Sequence, residues 1–374
     1  MKKILSTFFS IFPFCLAAQS INGTIQHDGL TREYSVYVPA IYDATQATPL
    51  VLNLHGYTSN NLQQAFYGDF RPIADTANFI LVHPNGTFDA SNNRYWNVGF
   101  FASAVDDVGF LKALIDTLSA TYNIDENRIY STGMSNGGFM SYKLACETPR
   151  FAAIASVTGG MTTSVYNACA PTKPIPVMEI HGTADGTVAY GGSAINLHTD
   201  SVVKYWVNWN HCAPSPTFTN VPNTNLLDGA TAEHYVYNGG DNGTSVELYR
   251  IIGGGHTWPG ASFNVGVTCM DFSASKEIWR FFRQYSLTTA AENGFSFEEK
   301  FSLSPNPAHH LLSIHAYQGE IASIVIMDMN GKVVFSEKIN AASVEIPVQD
   351  FAEGLYILQV AEGEKLHHQK WVRE

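Results

Sequence analysis

Short apolar runs alternate with amphipathic helical stripes through most of this 374-residue chain, and that order admits few folds. Pro49–Leu54, Phe79–His83, Arg128–Thr132, Ala152–Val157, Pro176–Ile180 and Val246–Ile252 read as strands. Between them, Val108, Leu111, Leu114, Ile115 and Leu118 recur at three and four residues, the stripe of a helix. Asp106 and Asp107 stand at its start, where solvated carboxylates favour a helix N-terminus. Further helices are expected from Asn136 onward, over Ser201–Trp209 and over Ser273–Phe282. Strands that are apolar throughout are buried on both faces. The chain is therefore expected to be α/β, with a mostly parallel central sheet covered by helices on each side. A hairpin over Thr24–Val38, turning at Gly29, precedes it.

The pattern changes near residue 288. Residues 288–299 are polar and read as a linker. From residue 300 on, only short alternating segments remain, among them Leu312–His315, Ile321–Met327, Lys332–Phe335, Ser343–Val348 and Leu355–Val360. Turns at Asn330-Gly331 and Glu353-Gly354 separate them, so residues 300–374 are expected to form a small all-β sandwich. At the other end, residues 1–18 read as a secretory signal peptide, with Lys2 and Lys3, a short apolar stretch and a small-residue site at Ala17-Ala18. The apolar stretch is too short to span a bilayer, and no later stretch is apolar enough, so no integral membrane segment is expected once the leader is gone. Residues 19–287 are left as the main domain.

Composition narrows the function classes. A net charge of −12 argues against a nucleic-acid partner, which would need clustered Lys and Arg. Charged residues at 14% beside 23 Phe and 18 Tyr argue against extensive disorder. Of the five cysteines, Cys15 leaves with the leader. Cys146, Cys169, Cys212 and Cys269 remain, an even set suited to two disulfides outside the cytoplasm. Four cysteines permit three pairings. Cys146 with Cys169, and Cys212 with Cys269, is the arrangement expected. The spacings do not suit zinc, and no metal or cofactor is implied.

The strongest local signal is Gly133-Met134-Ser135-Asn136-Gly137, a G-x-S-x-G motif between a strand and a helix. There the serine sits on a tight turn that exposes its hydroxyl, and neighbouring side chains would collide with adjacent backbone. A serine nucleophile needs a base, and the base an orienting carboxylate. Asp185 follows the Pro176–Ile180 strand within His181-Gly182-Thr183-Ala184-Asp185-Gly186. His256 follows the Val246–Ile252 strand and three glycines. Ser135, His256 and Asp185 are the expected nucleophile, base and orienting acid. The backbone N–H groups of Asn136 and Tyr57 are the expected oxyanion donors. Trp96, Asn97 and Trp258 are candidates to line the substrate cleft, and His55 and His181 to shape loops.

Taken together, Leu54-His55-Gly56, Pro84-Asn85-Gly86, Trp96-Asn97, Val105–Phe110, the Ser135 motif, His181–Asp185 and Gly255-His256-Thr257-Trp258-Pro259-Gly260 resemble a known family. It is the secreted polyhydroxybutyrate depolymerase and feruloyl esterase family, close to carbohydrate esterase family 1. The resemblance covers about residues 22–285. It implies an α/β-hydrolase fold, hydrolysis of carboxylic esters through an acyl-enzyme, and feruloyl or acetyl esters of plant polysaccharide, or a polyhydroxyalkanoate, as substrate. One departure is Tyr237–Gly243, where the resemblance leads one to expect a cysteine for Cys212 and glycines stand instead. The tail, with Leu303–Ala308, Ile326–Lys332, Gly354–Ile357 and Lys370, is similar to the C-terminal sorting domain of type IX secretion substrates. That resemblance implies the secretion machinery as a partner and an extracellular or cell-surface location. A serine peptidase of the same fold and a non-catalytic surface binding protein are the alternative readings.

Overall fold

The computed structural model describes residues 18–287, 301–316, 320–328, 332–362 and 365–373. The expected leader, all but Ala18, the 288–299 linker and the Asn330-Gly331 turn lie outside the described residues. The chain divides into two compact units, residues 1–292 and 293–374.

The first unit is built on one ten-stranded sheet. Its strands are β1 (Gln19–His27), β2 (Leu30–Val38), β3 (Thr48–Leu54), β4 (Ile80–Pro84), β7 (Ile124–Met134), β8 (Ala153–Val157), β9 (Val177–Gly182), β10 (Thr217–Asn220), β11 (Thr231–Tyr237) and β12 (Val246–Ile252). A two-residue ribbon, β5 (Thr87–Phe88) with β6 (Arg94–Tyr95), stands apart. The sheet order is β1-β2-β4-β3-β7-β8-β9-β12-β11-β10. The six strands from β4 to β12 run parallel, and antiparallel strands close each edge. The expected parallel sheet is thus present. The β10–β11 edge and three short helices are additions to it. Asp28 and Gly29, both at positive φ, make the two-residue turn of the β1–β2 hairpin, whose twist such residues match.

Seven helices among the described residues cover the sheet: α1 (Asn61–Tyr67), α2 (Arg71–Ala77), α3 (Asp107–Thr121), α4 (Asn136–Glu147), α5 (Thr163–Ala168), α6 (Thr199–Trp209) and α7 (Ala274–Phe282). Successive strand residues point to opposite faces, so the sheet divides two cores. Leu50, Leu52 and Leu54 join Phe110, Leu114, Phe139 and Trp206 under α3, α4 and α6. Val51, Leu81 and Ala155 join Ala74, Ile278 and Phe281 under α2 and α7.

This division corrects the cysteine expectation. Cys146, at the end of α4, and Cys169, at the cap of α5, form a disulfide. Cys212 and Cys269 do not; both are buried free thiols. Cys212 belongs to the core under α6 and Cys269 to the core under α7, with the sheet between them. A disulfide requires α-carbons within about 7 Å, which opposite faces of a sheet forbid. The sulfur of Cys212 instead lies against Gly240, where a Cβ would come within 2.7 Å of it.

Asp106 and Asp107 also part company. Asp106 caps α3 by accepting from the Gly109 amide at 2.8 Å. Asp107, expected to be solvated, is fully buried. It accepts from Arg32 at 2.6 Å and from the Asn97 amide at 2.7 Å. The Arg32 guanidinium lies 3.9 Å over the Phe110 ring.

The second unit holds two antiparallel sheets. One orders β13 (Phe301–Ser304), β14 (Leu311–Ala316) and β17 (Ser343–Pro347). The other orders β16 (Val333–Ala341), β15 (Ile321–Asp328), β18 (Gly354–Glu362) and β19 (Lys365–Arg373). Leu312, Ile314 and Ile346 from the first meet Ile324, Ile326, Leu358 and Trp371 from the second in one core, as in a sandwich.

Candidate active site

Ser135 stands between β7 and α4 with φ 53° and ψ −119°. A non-glycine residue rarely adopts such a backbone, and strain of this kind gathers at functional sites. The flanking glycines permit the turn. A Cβ on Gly133 would lie 2.6 Å from the Leu54 carbonyl oxygen, and one on Gly137 would overlap the same oxygen. The Ser135 amide donates to the Val157 carbonyl at 2.8 Å, which ties the turn to β8.

Asp185 and His256 leave the ends of β9 and β12, which are parallel neighbours. Their loops are strapped together. The Thr183 amide donates to Ile251 O at 2.8 Å, Ala184 to Gly254 O at 3.0 Å, and Gly253 to the Thr183 hydroxyl at 2.9 Å. His256 Nδ1–H then donates to Asp185 Oδ2 at 2.7 Å. The other Asp185 oxygen accepts from the Thr187 and Val188 amides, each at 2.8 Å. Burial alone would raise the Asp185 pKa. The hydrogen bonds and the imidazole outweigh burial and hold it below the usual carboxylate range.

Ser135 and His256 line one cavity of about 490 Å³, together with Gly56 and Tyr57. The amides of Tyr57 and Asn136 donate to no protein acceptor among the described residues. Asn136 is held by its side chain, which accepts from the Trp96 amide at 2.6 Å and donates to the Trp96 carbonyl at 3.1 Å. His55 holds the Gly56-Tyr57 loop. Its Nε2 accepts from the Gly86 amide at 2.9 Å, so Nδ1 carries the proton that reaches Gly56 O at 2.7 Å. Burial pushes the His55 pKa down to about 4, so the ring is neutral at ordinary pH.

The expected lining residues sit elsewhere. Trp96 is buried, and its indole N–H donates to His55 O at 3.0 Å. Trp258 is buried against Phe70 and donates to the Ser275 hydroxyl at 3.2 Å. Asn97 spans its own loop, donating to Val105 O at 2.9 Å. All three pack the scaffold behind the cavity. The walls come instead from Leu62, Phe66 and Tyr67 on α1, and from Phe263 and Val265 beyond His256. Phe66 is 58% exposed and Phe263 50%, so two rings open to solvent at the mouth. Tyr67 links the walls. Its ring packs at a tilt against Phe263, with centroids 5.0 Å apart, and its hydroxyl accepts from the Trp258 amide at 3.2 Å. An apolar stripe on α1 was the only signal in the sequence for this wall.

Asp228, Cys269 and Asp271 bring potential metal-ligand atoms within 4.8 Å of one another. Their carboxylates already tie loops, accepting from the Met270, Thr224 and Asn225 amides. Burial pushes the Cys269 thiol up to about 12, and its S–H donates to Asp271 Oδ2 at 3.6 Å.

Residues 32–202 match the family model described as Esterase PHB depolymerase. Residues 302–374 match that of the secretion system C-terminal sorting domain. The chain is 26% identical over 281 residues to a bifunctional acetylxylan esterase/xylanase of Neocallimastix patriciarum, covering 74% of this chain and 37% of that protein. It is 26% identical over 237 residues to feruloyl esterase B of Piromyces equi, covering 60% and 42% respectively. The chain therefore spans less than half the length of either relative. In fold it is similar to an acetyl xylan esterase from Aspergillus awamori, with TM-score 0.53 and 14% identity, over 70% of this chain and 99% of that one. Among the described residues no helix is long and apolar enough to cross a membrane.

Proposed function

We propose that the chain is a secreted α/β-hydrolase esterase of the polyhydroxybutyrate depolymerase and feruloyl esterase kind, carrying a C-terminal type IX secretion sorting domain, and that it cleaves esters of aromatic carboxylic acids on plant polysaccharide. The cavity that holds both Ser135 and His256 supports this reading, because Phe66, Tyr67 and Phe263 bring three rings to its walls beside Leu62, Met134 and Val265, with Ser59, Gln63 and Gln64 as the polar part of the lining. An aromatic acyl group gains far more from such walls than an acetyl group does.

In the proposed cycle, Ser135 Oγ attacks the ester carbonyl while His256 Nε2 takes its proton. Asp185 holds Nδ1–H and stabilises the imidazolium that forms. The oxyanion is received by the Asn136 and Tyr57 amides. His256 returns the proton to the departing sugar alkoxide, leaving an acyl-enzyme. Water, deprotonated by His256, then releases the carboxylic acid and restores Ser135. The C-terminal unit would engage the secretion machinery.

Purified enzyme offered feruloyl-arabinoxylan, acetyl-xylan and polyhydroxybutyrate side by side tests the proposal. Ferulate is the expected product, and Ser135→Ala should lower turnover by about 10⁶. Release of acetate or hydroxybutyrate alone would overturn the acyl assignment. Full activity in Ser135→Ala would overturn the mechanism.

A further inference from the structure

A second imidazole stands behind Asp185. His181, near the end of β9, is completely buried. Its Nδ1 lies 2.9 Å from Glu179 Oε1. Its Nε2 lies 2.8 Å from the Val188 carbonyl oxygen and 3.5 Å from Asp185 Oδ2. That carboxylate oxygen is the one that accepts from His256. With Glu179 ionised, both ring nitrogens of His181 face oxygens that accept, although burial raises the Glu179 pKa.

A neutral imidazole carries one N–H and one lone pair. Here a lone pair would be aimed at Glu179 or at Val188 O. The surrounding charges favour filling both positions with protons. Glu179 and Asp185 approach the ring directly, and both are buried. Tyr142, on α4, donates to the far Glu179 oxygen at 2.8 Å. Tyr190 meets the ring edge-on at 5.7 Å, and its hydroxyl is turned to Asp200. Arg250 is the register partner of His181 on β12, but its guanidinium goes to Glu233 and Tyr235. His256 lies one hydrogen bond further out, through Asp185. Two carboxylates thus face His181 and no cation touches it.

We propose that His181 is held as a buried imidazolium by Glu179 and acts as a positioning residue for Asp185, fixing the oxygen that orients His256. Burial alone would drive the His181 pKa down; the hydrogen bond and charge of Glu179, with the charge of Asp185, reverse that and raise it. The cation keeps Asp185 ionised as pH falls. The effect on catalysis rests on the triad reading above, whereas the protonation state does not.

Two measurements test this separately. In full-length protein labelled with ¹⁵N-histidine, both His181 nitrogens should be protonated at pH 7, the signal being assigned by its loss in His181→Gln. A bare ring nitrogen at pH 7 would overturn the proposal, and Ser135→Ala should leave this signal unchanged. In kinetics, Glu179→Gln and His181→Gln should lower turnover by about tenfold or more while KM stays within about twofold. Unchanged turnover in a folded variant would overturn the positioning role. If neither variant folds, a spectrum of Tyr142→Phe assigns the signal and the wild-type protonation state decides.

Discussion

His256 Nδ1 and Asp185 Oδ2 meet at 2.7 Å across 71 residues of chain. The pairing follows from topology, because β9 and β12 are adjacent and parallel and deliver both loops to the same edge. Ligand sites in open α/β sheets collect at the carboxyl ends of the strands for this reason. Asp185→Asn would preserve the packing but favour the wrong imidazole tautomer. Turnover on methyl ferulate should fall by about 10⁴ with little change in KM. A loss under tenfold would remove Asp185 from the mechanism.

The walls of the cavity make a separate prediction. Phe66→Ala and Phe263→Ala each remove an exposed ring from the mouth. Each should raise KM for methyl ferulate by about tenfold, in line with about 1.4 kcal/mol of lost contact. KM for p-nitrophenyl acetate should barely move. Equal effects on both esters would show that the rings do not hold the acyl group.

The Arg32–Asp107 pair is buried on both sides, at 3% and 0% side-chain exposure. Asp107→Ala would strand the guanidinium and leave the Asn97 amide unmet. Removing one member of such a pair typically costs about 3–5 kcal/mol. Urea unfolding should show a loss of that size. A change under about 1 kcal/mol would mean that water reaches Arg32.

Two buried histidines make stability depend on pH. Burial pushes His55 down to about 4 and His83 down to about 3, against an ordinary value of 6.5. His83 Nε2 accepts from Asn53 Nδ2 at 3.3 Å, which a proton would prevent. Below pH 6.5 these two residues take up protons in the unfolded chain and refuse them in the folded one, so their contribution to stability is full above that value. That contribution should decline as pH drops toward 4 and continue to decline toward 3. A His83→Leu variant that loses stability between pH 7.5 and pH 5 as steeply as the wild type would contradict this.

The cysteines can be counted directly. Protein beginning at Gln19, denatured without reductant, should expose two reactive thiols, those of Cys212 and Cys269. The native protein should expose neither promptly, since both are buried. Cys146→Ser with Cys169→Ser opens a loop of 23 residues and should cost about 3 kcal/mol. Finding no thiols in the denatured protein would restore a second disulfide.

Much of the fold was legible because most of the parallel strands carry continuous buried, largely apolar runs. The runs before Ser135, Asp185 and His256 placed all three residues at strand ends. The edge strands β10 and β11 escaped because they alternate weakly and carry exposed polar residues. The cavity walls escaped for a different reason. Phe66 and Phe263 lie 197 positions apart, and nothing local marks either as facing the other. Trp96 and Trp258 sit beside functional motifs in the sequence and so looked like binding residues. In the folded protein they fill the layer beneath.

Local pattern thus governs what one strand, one turn or one helix can be. Period-two burial, the Ser135 turn and the order of strand and helix are all properties of neighbours along the chain. The faces of the sheet are not such a property. Cys212 and Cys269 form an even remainder on paper, yet ten strands stand between their two cores. The imidazole of His181 reads as a loop-shaping residue in the sequence. Only the closing of β9 against the Asp185 loop surrounds it with two carboxylates, because burial removes the water that would otherwise screen them.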